Sequence, residues 1–206
     1  IGAVLVTVNT NYKVFELEYL LRQSDSKALV LIDGLKDANY VDIVNELCPT
    51  LKDCAPGAYE NPMLPFLGDI IYAGKKETPA GMYGWSDLEK LGERITDEQF
   101  RAVFDSVDPQ DVTNMQYTSG TTGFPKGVML THYNIVNNGK CIGDCMKFTH
   151  EDRLCIPVPF FHCFGLVLAV MACLTHASSM VPTETYRRTE VMKAHQNEER
   201  TAVLGV

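Results

Sequence analysis

The stretch MQYTSGTTGFPKG, residues 115–127, decides how this chain is interpreted. Between residues 118 and 127 it holds four hydroxyl side chains, three glycines and one lysine. Glycines let backbone N–H groups converge on an anion, hydroxyls add short hydrogen bonds, and a lysine supplies positive charge. We predict a strand before this loop, over 112–117, and a helix after it, from His132 onward. This combination is typical of a phosphate-binding unit.

The spacing of the loop differs from that of the common nucleotide-binding P-loop. A G-x-x-x-x-G-K-[ST] pattern that starts at Gly120 would place glycine at position 125 and serine or threonine at position 127. The chain has Pro125 and Gly127 there, so a P-loop NTPase is disfavoured. A plain glycine- and serine-rich surface loop is disfavoured as well, because the order of the residues matches a known signature and not only their composition.

That order resembles the phosphate-binding signature of the adenylate-forming (AMP-binding) enzyme superfamily. The superfamily includes acyl-CoA synthetases, aryl-CoA ligases, luciferases and peptide-synthetase adenylation domains. A second segment, VPFFHCFG at residues 158–165, resembles the Pro-x-Phe-His-x-x-Gly segment of acyl- and aryl-CoA synthetases. Peptide-synthetase domains usually carry Phe-Asp-x-Ser there instead. The resemblance covers essentially the whole chain and is closest to bacterial fatty acyl-CoA synthetases.

The resemblance implies a two-step ligase reaction. A carboxylate attacks the α-phosphate of ATP to give an acyl-adenylate and pyrophosphate, and the thiol of CoA then displaces AMP. ATP, Mg²⁺ and CoA are the implied cofactors, a fatty acid or related carboxylic acid is the implied substrate, and no metal-ligating residue is assigned. The resemblance gives catalytic roles to Lys126 and His162. The residues that it places on ATP are Thr118, Ser119, Gly120, Thr121, Thr122, Gly123 and Lys126.

His162 has a structural alternative. Taken by itself, a histidine at a strand end is more often satisfied by a nearby hydrogen bond than used in a site. Its place about forty residues after the loop, within the same family pattern, favours the site. We therefore expect the ring to lie near Thr118 on the same face of the sheet, with the strands before these two residues close together.

The rest of the chain predicts an α/β fold with an open, mostly parallel sheet flanked by helices. We divide it into a βαβα unit over 1–48, an irregular connection with short helices over 49–107, and a phosphate-loop α/β unit over 108–206. The continuous apolar strand at 28–32 predicts a sheet that is covered on both faces. We expect Ser86, Thr96 and Thr131 to cap helices. Apolar spacing predicts further strands over 3–8, 153–158, 178–181 and 201–206, and helices over 12–23, 40–47, 165–174 and 189–199.

The resemblance also implies that the chain is an interior piece of a larger N-terminal domain. The family's Tyr-Gly-x-Thr-Glu segment with its Mg²⁺-binding glutamate, its ribose-binding aspartate and its small domain with a catalytic lysine are not found in these 206 residues. We therefore expect this polypeptide alone to be inactive. A non-catalytic nucleotide- or phosphate-binding fragment and a peptide-synthetase-type adenylation domain stay open as alternatives. We expect the loop over 119–126 to be mobile without ligand, because little apolar side chain anchors it.

Composition argues against other classes of partner. The formal net charge is −8 without a basic block, which argues against nucleic-acid binding. The seven cysteines include no Cys-x-x-Cys pair, which disfavours a zinc site and suits a reducing cytoplasm. The apolar stretch over 154–174 is interrupted by two prolines, a histidine and a glycine, so we predict a buried strand and helix there and no transmembrane segment. The acyl chain length and a possible homodimer stay open.

Overall fold

The computed structural model describes residues 1–118, 123–183 and 201–204, and its chain forms two compact units. The first unit comprises Ile1–Gly2 and Val8–Val107, and the second comprises Ala3–Thr7 and Asp108–Val206. The helices are α1 Val14–Gln23, α2 Tyr40–Leu47, a 3₁₀ turn Leu51–Asp53, α3 Trp85–Gly92, α4 Asp97–Ser106, α5 His132–Met146, a π-helix Phe164–Met171 and α6 Ala172–His176. The strands are β1 Leu5–Val6, β2 Ala28–Leu31, β3 Gly34–Leu35, β4 Ala38–Asn39, β5 Asp69–Tyr72, β6 Tyr83–Gly84, β7 Val112–Thr118, β8 Lys126–Thr131, β9 Arg153–Ile156, β10 Ser179–Pro182 and β11 Ala202–Val203.

Parallel pairing dominates the described strands. Five of the seven strand pairings are parallel, and only β3 with β4 and β7 with β8 are antiparallel among the described residues. The strands form separate small sheets with the orders β2-β5-β6, β1-β7-β8 and β10-β9-β11, beside the β3-β4 hairpin. The prediction of an α/β fold with a mostly parallel sheet is confirmed.

The strands of the parallel sheet in the first unit differ in how they are covered. Leu29 and Leu31 of β2 are buried, whereas Val30 between them is 54% exposed. Because successive side chains of a strand point to opposite faces, the described residues cover only one face of β2, whereas the successive buried residues Ile70, Ile71 and Tyr72 show that both faces of β5 are covered. The expectation of a sheet covered on both faces was therefore wrong for β2, since a continuous apolar run does not reveal which face has cover.

Helix starts in both units follow from local capping. Thr96 accepts the Gln99 N–H at 3.2 Å and Thr131 accepts the Asn134 N–H at 3.1 Å, as predicted. The prediction for Ser86 was wrong because α3 begins at Trp85 and its capping residue is Gly84. There the N–H of the capping residue Gly84 donates to the Asp87 carboxylate at 2.9 Å, which stabilises the start of the helix without a side-chain cap.

The second unit contains a strand that the sequence analysis missed. β8 pairs antiparallel with β7 from Val112 opposite Thr131 to Thr118 opposite Lys126. The predicted unit of strand, loop and helix is therefore a β-hairpin followed by α5. The core of this unit gathers buried residues of β9, the π-helix and α6, including Leu154, Ile156 and Ala169.

Some predicted elements lie wholly or partly outside the described residues. The helix predicted over 189–199 falls there, and so do the last two residues of the strand predicted over 201–206, of which β11 is the described part. The helix predicted over 165–174 is present as the π-helix and α6 together. Within the described part of the chain, no helix combines the length and the apolar character that a bilayer crossing requires.

Candidate active site

The β7–β8 hairpin places two predicted site residues opposite each other. Thr118 and Lys126 form the last register pair of the ladder, and both are exposed. Directly opposed residues of neighbouring strands share a face of the sheet, so the side chains of Thr118 and Lys126 project from the same face at the mouth of the loop. Among the described residues, no carboxylate forms an ion pair with Lys126. No described carboxylate therefore neutralises its positive charge.

The loop between these residues is described only in part. Ser119, Gly120, Thr121 and Thr122 lie outside the described residues, and the expected mobility of the loop lies outside them as well. Gly123 is described and has φ of 100°, and no described atom lies within 4 Å of the place where a Cβ would stand. Only glycine adopts this backbone readily, which accounts for a glycine at this end of the loop.

The face of β7 that carries Thr118 also carries two buried amide side chains. Asn114 is 2% exposed and Gln116 is 7% exposed. The Nδ2 of Asn114 donates to the Leu5 carbonyl at 2.9 Å, but its Oδ1 and the Nε2 of Gln116 have no hydrogen-bond partner among the described residues. Unpaired buried polar groups are uncommon in folded proteins. The sequence analysis did not identify this polar face, although two amides at alternate positions of a buried strand were its signal.

The segment that holds His162 is a tight turn between β9 and the π-helix. The His162 N–H donates to the Pro159 carbonyl at 3.3 Å, and the His162 carbonyl accepts the N–H groups of Gly165 and Leu166, each at 3.0 Å. A Cβ on Gly165 would overlap the Pro159 carbonyl. The glycine of the predicted segment is therefore required by the close approach of two backbones.

The imidazole of His162 is exposed and held in one orientation. Its Nδ1 accepts the Phe164 N–H at 3.1 Å, and the Cys163 thiol lies 3.7 Å from the same nitrogen. Because Nδ1 accepts a hydrogen bond, the neutral ring carries its proton on Nε2. Among the described residues, Nε2 has no partner. The ring is thus neither buried nor fully satisfied, and it offers an N–H donor at the surface.

Thr7 connects this turn to the strand that leads into the loop. The Thr7 N–H donates to the Met115 carbonyl at 3.3 Å, and the Thr7 hydroxyl donates to the Phe161 carbonyl at 3.1 Å. Met115 precedes Thr118 by three residues, which is about 10 Å along a strand. The sequence analysis did not find Thr7, since no local pattern marks it.

One geometric expectation was not met. The strands that precede Thr118 and His162 are β7 and β9, and in the described residues these belong to separate sheets. The link between them runs through Thr7 and not through a shared ladder. The placement of the His162 ring at the same site as Thr118 stays a prediction.

Comparison with known proteins now bears on this arrangement. The whole chain, residues 1–206, matches the family model described as AMP-binding enzyme. The chain therefore belongs to the AMP-binding enzyme family, which confirms the resemblance found in the sequence.

Similar proteins support the same family assignment. YngI of Bacillus subtilis (strain 168), whose name describes it as an acyl-CoA synthetase, is 50% identical over 206 residues, which are 100% of this chain and 37% of that protein. The human "Medium-chain acyl-CoA ligase ACSF2, mitochondrial" is 32% identical over 215 residues, covering 99% of this chain and 34% of that protein. The chain spans about a third of the length of these relatives.

A solved structure shares the fold. The ATP-bound MatB from Rhodopseudomonas palustris matches with a TM-score of 0.63 at 22% identity, over 98% of this chain and 34% of that one. At this identity the likeness concerns the fold alone.

Proposed function

We propose that this chain is part of an AMP-forming acyl-CoA synthetase, an acid–thiol ligase that activates a fatty or related carboxylic acid as its adenylate and then forms the CoA thioester. The observation that carries the proposal is the hairpin that sets Lys126, which has no carboxylate partner among the described residues, opposite Thr118 at the mouth of the loop. Membership in the AMP-binding enzyme family over the whole chain supports it.

The loop residues bind the triphosphate of ATP in this proposal. Backbone N–H groups and hydroxyls of Ser119, Gly120, Thr121, Thr122 and Gly123 hold the β- and γ-phosphates, and Thr118 lies nearer the α-phosphate. The Lys126 ammonium neutralises the negative charge that builds up on the departing pyrophosphate. Because the carboxylate and ATP repel each other, neutralising and aligning them supplies most of the rate enhancement.

His162 acts on the acid in the same proposal. Its outward Nε2–H donates to an oxygen of the carboxylate or of the α-phosphate, where charge develops during attack. Phe160 and Phe161 precede His162 in the chain and Phe164 follows it, and in this proposal they offer apolar surface to an acyl chain.

In this proposal Mg²⁺ accompanies ATP, and no residue of this chain is assigned as its ligand. The described residues hold no group of three or more histidine, cysteine or carboxylate side chains placed to hold a metal. Mg²⁺ keeps several waters and needs one or two protein ligands beside phosphate oxygens. The metal supplies charge neutralisation when bound, and Lys126 supplies it from the protein.

The proposal is tested by assaying the full-length protein that contains this chain. We expect pyrophosphate exchange into ATP that depends on an added fatty acid, and acyl-CoA release once CoA is added. Exchange driven by amino acids without thioester release to CoA would favour the peptide-synthetase alternative. ATP binding without exchange for any acid would favour the non-catalytic alternative. The 206-residue polypeptide alone should show neither exchange nor thioester formation.

The proposed location is the cytoplasm. All seven cysteines are free thiols, which suits a reducing compartment. The name of the human relative places that protein in mitochondria, so fractionation of the source cells decides between these compartments. A homodimer is a further proposal that sedimentation of the full-length protein would test.

A further inference from the structure

We propose that Thr7 is a positioning residue that sets the place of His162 relative to the phosphate loop; the inference rests on the function proposed above. Thr7 directly follows β1, and 154 residues separate it from Phe161, whose carbonyl accepts its hydroxyl proton at 3.1 Å. The Thr7 N–H donates to the Met115 carbonyl on β7 at 3.3 Å. One residue therefore bonds both the strand that leads into the loop and the turn that carries His162.

The Thr7 hydroxyl acts on the peptide group that precedes His162. The carbonyl of Phe161 and the N–H of His162 belong to one planar peptide unit. Thr7 binds the carbonyl end, and Pro159 accepts from the N–H end at 3.3 Å. Because the unit is planar, holding both ends fixes the direction in which the chain enters His162.

The hydrogen bonds of His162 itself do not provide this placement. Among the described residues, its backbone and its Nδ1 bond only to neighbours in the same turn, namely Pro159, Cys163, Phe164, Gly165 and Leu166. These bonds give the turn its shape, but all of them move with the turn. The Thr7 hydroxyl instead bonds the turn from the residue directly after β1, and β1 is paired with β7. This hydrogen bond therefore fixes the position of the imidazole relative to β7.

Removal of the hydroxyl at constant side-chain shape tests this role. In the full-length protein, Thr7→Val should lower kcat for fatty-acid-dependent pyrophosphate exchange about tenfold or more, because a shift near 1 Å can cost about a hundredfold. The KM for ATP should change less than about threefold, since the loop residues are untouched. Thr7→Ser keeps the hydroxyl and should stay within about threefold of the unsubstituted protein.

A double-mutant cycle with His162→Ala separates positioning from general damage. If Thr7 acts through His162, then Thr7→Val should have no further effect on the rate once the imidazole is gone. Thr7→Ala removes the same hydroxyl and carries the test should the valine variant fail to fold. A rate loss of equal size in both backgrounds, an unaltered kcat for Thr7→Val, or a serine variant as slow as valine would overturn the inference. Absence of exchange in the unsubstituted protein would instead overturn the proposed function.

Discussion

Replacing His162 by asparagine should separate the two roles of the imidazole, which are to accept a hydrogen bond at Nδ1 within the turn and to donate one from Nε2 to the substrate. The Oδ1 of asparagine takes nearly the position of Nδ1 and can accept the Phe164 N–H, as asparagine side chains often accept an amide two residues on. Asparagine has no donor where Nε2 stands. Glutamine does the reverse, because its longer side chain brings an N–H donor toward the Nε2 position but does not hold the turn.

The magnitudes follow from what each substitution removes. The hydrogen bond from Phe164 to Nδ1 is neutral and 3.1 Å long, and such a bond contributes about 0.5–1.5 kcal/mol to folding. The ring is exposed, so its burial adds little. His162→Ala should lower the free energy of unfolding by about 1 kcal/mol, and His162→Asn should lower it by much less. A lost donor at a developing oxyanion costs about 10²–10³ in kcat where it has been measured, and we expect at least a tenfold loss for His162→Asn.

The assay pairs urea denaturation with fatty-acid-dependent pyrophosphate exchange in the full-length protein, at saturating ATP. We expect His162→Asn to be stable but slow, and His162→Gln to be less stable but faster than His162→Asn. An asparagine variant that exchanges at the unsubstituted rate would refute the donor role of Nε2. An alanine variant of unchanged stability would refute the role of Nδ1 in the turn.

Three further substitutions test neighbouring features. Lys126→Ala in the full-length protein should slow pyrophosphate exchange far more than it raises the KM for the acid, and an unchanged rate would show that Lys126 is a solvated surface charge. Gly165→Ala should lower the free energy of unfolding by about 1–3 kcal/mol in urea titrations, because its Cβ would overlap the Pro159 carbonyl; an unaltered midpoint would show that the turn relaxes freely. The pKa of the Asp152 carboxyl lies below its ordinary value, first because the Thr201 hydroxyl donates to it. Its stabilising effect is thus present above the pKa of the unfolded chain and lost as pH falls through the lower folded pKa, so Asp152→Asn should weaken the acid dependence of unfolding, and identical acid profiles would contradict this.

The successful predictions rested on signals from residues that are close together in the sequence. Thr131 and Thr96 were identifiable as caps because the residue that they bond lies three positions further along the chain. The α/β class followed in the same way from apolar spacing within single elements. The family was identifiable because the loop signature is contiguous.

The features that the sequence analysis missed depend on contacts between residues far apart in the chain. The segment KGVMLT of β8 has no clear strand pattern, and its pairing with β7 is what makes it a strand. The hydroxyl of Thr7 meets a carbonyl 154 residues away, which no window of sequence contains. Whether a face of β2 is buried depends on which other residues pack against it, and an apolar run in the sequence does not identify those residues. Even the short link from Gly84 to Asp87 replaced a cap that residue type alone assigned to Ser86.

The ladder between β7 and β8 makes the lysine and the loop separable parts for protein engineering. Lys126 belongs to a ladder whose register runs from Val112 to Thr118, so pairing with β7 also holds its backbone in place. The length and composition of the loop could thus be varied while Lys126 stays paired with Thr118. A single-residue deletion inside β8 would do the opposite, since it would turn the lysine to the other face and leave the loop sequence intact.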